Sequence, residues 1–160
     1  MPTHSLTNPP HHTLSHIDRN LFLYETPYEF IEYLHSNQID KNMKQEEENS
    51  RIYNTNDIYD FYSKYHTIWN NELDIVYEKL MYLLTVEAKE MLEKSQIAWE
   101  EENANNSKLW LQVFDATKGR GSGDATMILI QNIDRIRIRT FLLAEYYYWL
   151  TGDFAFEYRS

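Results

Sequence analysis

A chain of 160 residues, 42% of them hydrophobic, has material for one compact core and is thin for two. Twenty-five acidic residues against 15 basic ones leave a formal charge of -10, which argues against non-specific attachment to phosphate backbones or anionic lipid and favours a cationic partner. The lack of cysteine excludes disulfides and thiolate metal sites, and no apolar run is long enough to span a bilayer.

Residues 1–25 are rich in Pro, His, Ser, Thr and Asn, a composition that buries too little apolar surface to offset its ordering entropy, and they read as a flexible tail. The tail has neither a basic n-region nor a continuous apolar stretch, so no signal peptide is read and a cytoplasmic location is expected. A periplasmic or secreted location follows instead if a leader has been removed.

Residues 26–55 read as a short helix and a polar linker. Thr26-Pro27-Tyr28-Glu29 has the form of a capping box with proline at the first helical position, and Phe30, Ile31 and Leu34 share one face of the helix it starts. The following SNQIDKNMKQEEENSRIYNTN is charged and rich in asparagine, the pattern of a loop.

From Asn56 the apolar positions recur at spacings of three and four through Ile58, Phe61, Tyr65, Trp69, Leu73, Val76, Leu80 and Leu84, which predicts a long helix over 56–84. Thr85 is placed to cap a second, over 86–118, with Leu92, Ser95, Trp99, Leu109, Trp110, Val113 and Phe114 along it. KGRGSGD ends that helix and Asp124 caps a third over 125–150, with Leu129, Ile133, Ile136, Leu143, Tyr147 and Leu150 inward and Thr151-Gly152 as its close. DRIRIRTF, residues 134–141, also alternates with the period of a strand, but the helical stripe extends past both its ends. The predicted fold is all-α: a bundle of three long helices plus a shorter N-terminal helix, the short turn at Leu84-Thr85 making the first two long helices antiparallel neighbours. Residues 153–160 read as a C-terminal tail.

Few residues suggest chemistry. Glu100, Glu101 and Glu102, with Asp115 beyond, could supply paired carboxylates, yet three adjacent residues on a helix point in three directions, and a solvated acidic face is the plainer expectation. The glycine-rich loop before Asp124 lacks the Gly-Lys-Ser/Thr ending and the preceding strand of a phosphate cradle. It is nevertheless a cationic loop beside an acidic surface, which makes Arg120 and Ser122 candidate partner contacts. Four of the six histidines, His4, His11, His12 and His16, fall in the tail, where nothing fixes them in a ligand geometry. No catalytic residue, metal ligand or cofactor is expected. Trp69, Trp99 and Trp149 are expected to pack in the core, while the run Tyr146-Tyr147-Tyr148-Trp149 cannot point inward throughout.

Over 63–150 the sequence resembles the LprI-type lysozyme-inhibitor domain, a small helical domain found mostly in bacterial exported proteins. The resemblance lies in NNELDIVYEKLM, then LTVEAKEMLEKSQIAW, then a Gly/Ser-rich loop, then RIRIRTFLLAEY. Leu73, Tyr77, Gln96, Trp99 and Arg139 occupy places of the family's structural motif, with Gln96-x-x-Trp99 the most specific part. The sequence departs from the family in having Glu102-Asn103 where Tyr-Arg is usual, and in having no cysteine. The resemblance implies a non-catalytic, protein-binding helical module over 56–152 whose partner is a lysozyme-like peptidoglycan hydrolase. Such enzymes are cationic, and Glu100, Glu101 and Glu102 would face them. Two other readings stand beside it: a cytoplasmic interaction or structural protein that shares only the fold, and, more weakly, an enzyme using the acidic stretch.

Overall fold

The computed structural model describes residues 26–50, 54–118 and 123–159, which form five α-helices and no strand. They are α1 (Tyr28–His35), α2 (Gln38–Asn49), α3 (Thr55–Leu83), α4 (Val86–Lys118) and α5 (Asp124–Thr151). The predicted tail at residues 1–25 and the loop at 119–122, with Arg120 and Ser122, lie outside the described residues.

The core forms chiefly between α3 and α5. Phe61, Tyr65, Trp69, Leu73, Val76 and Leu80 are all buried and follow one another at three- or four-residue steps, so they line one side of α3. Ile133, Ile136, Thr140 and Leu143 do the same on α5, with Ala144 buried beside them. Trp69 is fully enclosed, with Phe141 and Phe156 edge-on to its ring at 5.8 and 6.1 Å. The octet that alternates like a strand is helical throughout α5. Its three arginines explain the alternation. Arg135 and Arg139, one turn apart, both reach α4, whereas Arg137 points to the other side and pairs with Asp40 of α2 at 2.8 Å.

The chain reverses at Leu84-Thr85, where the Thr85 hydroxyl accepts the Ala88 N–H at 3.3 Å. α4 then runs antiparallel to α5: Gln96 meets Arg139, Asn103 meets Arg135 and Ser107 meets Asn132. This interface is polar and thin, for among the described residues Leu92 is the one α4 side chain in the buried apolar core. Trp99 is half-buried rather than enclosed, and Leu109 and Val113 are exposed. Trp110 instead stacks on Phe114 along the same helix, ring centroids 4.7 Å apart. Trp149 and Leu150, expected inward, are 47% and 56% exposed, because an open groove separates them from Ala88 and Met91 of α4.

Three local expectations are corrected. Thr26 does not cap α1: Pro27 holds the cap position without a side-chain bond, and the Thr26 hydroxyl donates to the Glu145 carboxylate on α5. Glu29, the other half of the expected box, accepts from the Tyr148 hydroxyl at 2.6 Å. The polar segment read as a linker is helix α2. Asn37 caps it by accepting the Asp40 N–H at 2.9 Å, Ile39 is fully buried, and ion pairs Asp40–Arg137 and Glu46–Lys64 fasten it to α5 and α3. The C-terminal segment is no free tail. Gly152, in the left-handed region at φ 74°, ends α5 and turns the chain back over the core. There the buried Glu72 carboxylate accepts the N–H groups of Glu157 at 2.7 Å and Tyr158 at 3.0 Å. Lys79 donates to the Ala155 carbonyl at 2.8 Å, and Ala155 is fully buried.

Candidate functional site: an acidic cleft between two helices

Between α3 and α4, on the side away from α5, Asp74, Tyr77, Glu93, Gln96, Ile97 and Glu100 line a cleft of about 280 Å³. Helical spacing sets it up. Asp74 and Tyr77 are one turn apart on α3, and Glu93, Gln96 and Glu100 follow at three- and four-residue steps on α4. Two anchors hold the walls: Leu73, buried in the core beside Asp74, and Arg139, buried on α5 behind the cleft.

Arg139 organises α4 at this level. Its Nε donates to Gln96 Oε1 and its Nη2 to Ser95 Oγ, each at 3.0 Å, while the guanidinium lies 5.9 Å from the Trp99 ring centre. Gln96 is thus fixed from one side, and its amide in turn donates to Glu100 Oε1 at 3.1 Å. Burial pulls the Arg139 guanidinium below its ordinary value, while Tyr146, Tyr77 and Glu100 act in the opposite sense. The five residues of the sequence motif, Leu73, Tyr77, Gln96, Trp99 and Arg139, therefore gather in one region of the bundle.

The charges of the cleft repel one another. Burial, and then Glu78 and Glu100, raise the Asp74 carboxyl above its ordinary value. Burial, followed by Glu93 and Glu100, raises the Tyr77 phenol, with Arg139 opposing. Asp74, Glu93 and Glu100 form no ion pair among the described residues. Such a site favours an incoming ammonium or guanidinium, which relieves the repulsion and meets several acceptors at once. The one hydroxyl lining the cleft, that of Tyr77, is shifted away from ionisation.

Of the three consecutive glutamates, Glu100 alone faces the cleft; Glu101 and Glu102 are exposed on other sides of α4. Asp74 and Glu93 were not among the expected site residues. Glu93 is legible in hindsight, two turns before Glu100 on one helical face, but Asp74 joins them only through the crossing of α3 over α4. Among the described residues no trio of His, Asp or Glu is arranged to hold a metal ion. His66 is pulled below its ordinary value by burial and lies against the side-chain amide of Asn70. Among the described residues no helix is long and apolar enough to cross a membrane. No family model matches the chain, and no curated protein or solved structure is found similar to it.

Proposed function

We propose that the chain is a non-catalytic helical binding module that receives a basic side chain of a protein partner in the α3–α4 cleft. The observation that carries this reading is the meeting of Asp74, Glu93 and Glu100 around Tyr77 with no salt bridge to any of the three among the described residues, Arg139 acting on Glu100 only from behind the cleft. Burial, and then Glu78 and Glu100, oppose the ionisation of Asp74, and a bound cation relieves that opposition. The formal charge of -10 adds long-range attraction for a basic protein. Together with the resemblance to lysozyme inhibitors, this makes a cationic peptidoglycan hydrolase the partner we propose, with inhibition following from occupation of its surface.

The test is association of the full chain with a purified cationic lysozyme across a range of salt. Steering by opposite charge predicts an on-rate that falls by about tenfold or more from low to physiological ionic strength. Glu100→Gln should slow association more than Glu101→Gln or Glu102→Gln, because Glu100 alone lines the cleft. Equal effects of the three would move the contact out of the cleft to the general acidic face. No association at low salt would leave the reading of an interaction protein with a different partner.

A further inference from the structure

A second concave surface adjoins the acidic cleft on the stretch of α4 just before it and shares no lining residue with it. Leu80 and Leu84 from the end of α3, Ala88, Met91 and Leu92 from α4, and Trp149 from α5 lead the lining of an open groove of about 490 Å³. Ser95 also borders it, with its hydroxyl already engaged by Arg139. Lining side chains stay in contact with water: Met91 is 64% exposed, Leu150 56%, Trp149 47% and Tyr146 41%. These side chains form one contiguous apolar surface on which a partner's apolar face can dock.

We propose that this groove receives one amphipathic helix of a partner protein, with Lys or Arg along the edges of its apolar face. Shape argues for a helix. On α4 the lining residues Ala88, Met91, Leu92 and Ser95 follow at offsets of three, four and seven, and Leu80 with Leu84, and Tyr146 with Trp149 and Leu150, repeat those spacings on the two flanking helices. These rows are the holes into which the knobs of an added helix fit. Charge argues for a basic one. The C-terminal end of α3 is offset by the N-terminus of α4 just beyond it, but the C-terminal end of α5 also reaches the groove and carries no basic residue in its last turn, so its negative end stands uncompensated. Glu87 flanks Met91 one turn earlier on α4, and exposed Glu90 and Asp153 add to it against Lys89 and Lys94.

The experiment uses the full chain and two labelled helical peptides of about five turns with the same leucine stripe, one otherwise lysine-rich and the other glutamate-rich. At about physiological ionic strength the lysine peptide should bind at least about tenfold more tightly than the glutamate peptide. Met91→Asp, at an exposed position that folding does not need, should weaken the lysine peptide by about tenfold or more. The triple change Asp74→Asn, Glu93→Gln, Glu100→Gln should leave it within about twofold, which separates the groove from general acidity and from the cleft. Equal binding of the two peptides, or indifference to Met91→Asp, would overturn the proposal. So would self-association that Met91→Asp abolishes, which would make a second copy the occupant. Tighter peptide binding after removal of residues 1–25 would assign the groove to the chain's own N-terminal segment instead.

Discussion

Glu72 shows how one side chain can replace a whole element. A carboxylate 2% exposed inside an apolar helix pair is costly unless its oxygens are occupied, and here each oxygen takes one backbone N–H of the returning C-terminal segment. Burial raises its pKa above the ordinary 4.5; the bonds from Glu157 and Tyr158 and the Lys79 charge only partly offset this. The folded state therefore holds the Glu72 proton more tightly than the unfolded chain. Its stabilising contribution is complete below the unfolded carboxylate value and is lost as pH rises through the folded one. Unfolding measured from about pH 4 to pH 7 should accordingly show the stability of the native chain falling relative to Glu72→Gln as pH rises. A difference that grows with pH would reverse the assignment. Among the tryptophans, Trp69 is fully enclosed and Trp99 half-buried, so Trp69→Ala should destabilise by about 3 to 5 kcal/mol and Trp99→Ala by distinctly less. Denaturant titration of the two variants compares them directly.

At the scale of elements, the sequence speaks most clearly where a helix is held by its own apolar stripe. α3 and α5 are legible because Trp69, Leu73, Val76 and Leu80, or Ile133, Ile136, Leu143 and Ala144, repeat at helical intervals, and burial of that stripe decides their conformation. α2 is illegible for the opposite reason. One fully buried residue, Ile39, and the half-buried Met43 cannot announce an amphipathic helix among so many charges, and its hold comes from Arg137 and Lys64, remote in sequence. The same holds for residues 153–159, whose anchor Glu72 lies some 80 positions earlier. The acidic cleft was half visible: Glu100 by its charge run, Glu93 by its register, Asp74 not until the helices cross. Because α2 has little apolar burial, its cap should matter more than usual. Asn37→Ala removes the acceptor for the Asp40 N–H and should cost about 1 kcal/mol, read as a lower denaturation midpoint. Gly152→Ala places a Cβ at φ 74°, where no neighbour blocks it but the backbone itself is disfavoured, and should cost about 1 kcal/mol for the same measurement.

The whole molecule divides into a well-packed body and one loosely attached helix. α3 alone contributes seven buried residues, Glu72 among them, whereas among the described residues the core takes only Leu92 from the 33-residue α4. What joins α4 to α5 is a row of polar bonds, Gln96 and Ser95 to Arg139, Asn103 to Arg135, and Ser107 to Asn132, the last worth about 0.5 to 1.5 kcal/mol net against water and those from the arginines about 1.5 to 3 each. Local opening should therefore reach α4 long before it reaches α3. Hydrogen exchange of the free protein should find the α4 amides beyond Trp99 exchanging by partial opening, while those around Trp69 and Val76 wait for global unfolding. This has a functional consequence. A cation held by Asp74 on one helix and by Glu93 and Glu100 on the other ties α3 to α4, and at a concentration about 100 times its Kd it adds about 2.7 kcal/mol to the state in which the cleft is closed. Binding of a cationic lysozyme should then slow exchange in α4 near residues 93–100 far more than in the core of α3. Uniform slowing of both helices would mean that α4 opens only with the whole fold, and that its thin polar seam is stronger than its bonds imply.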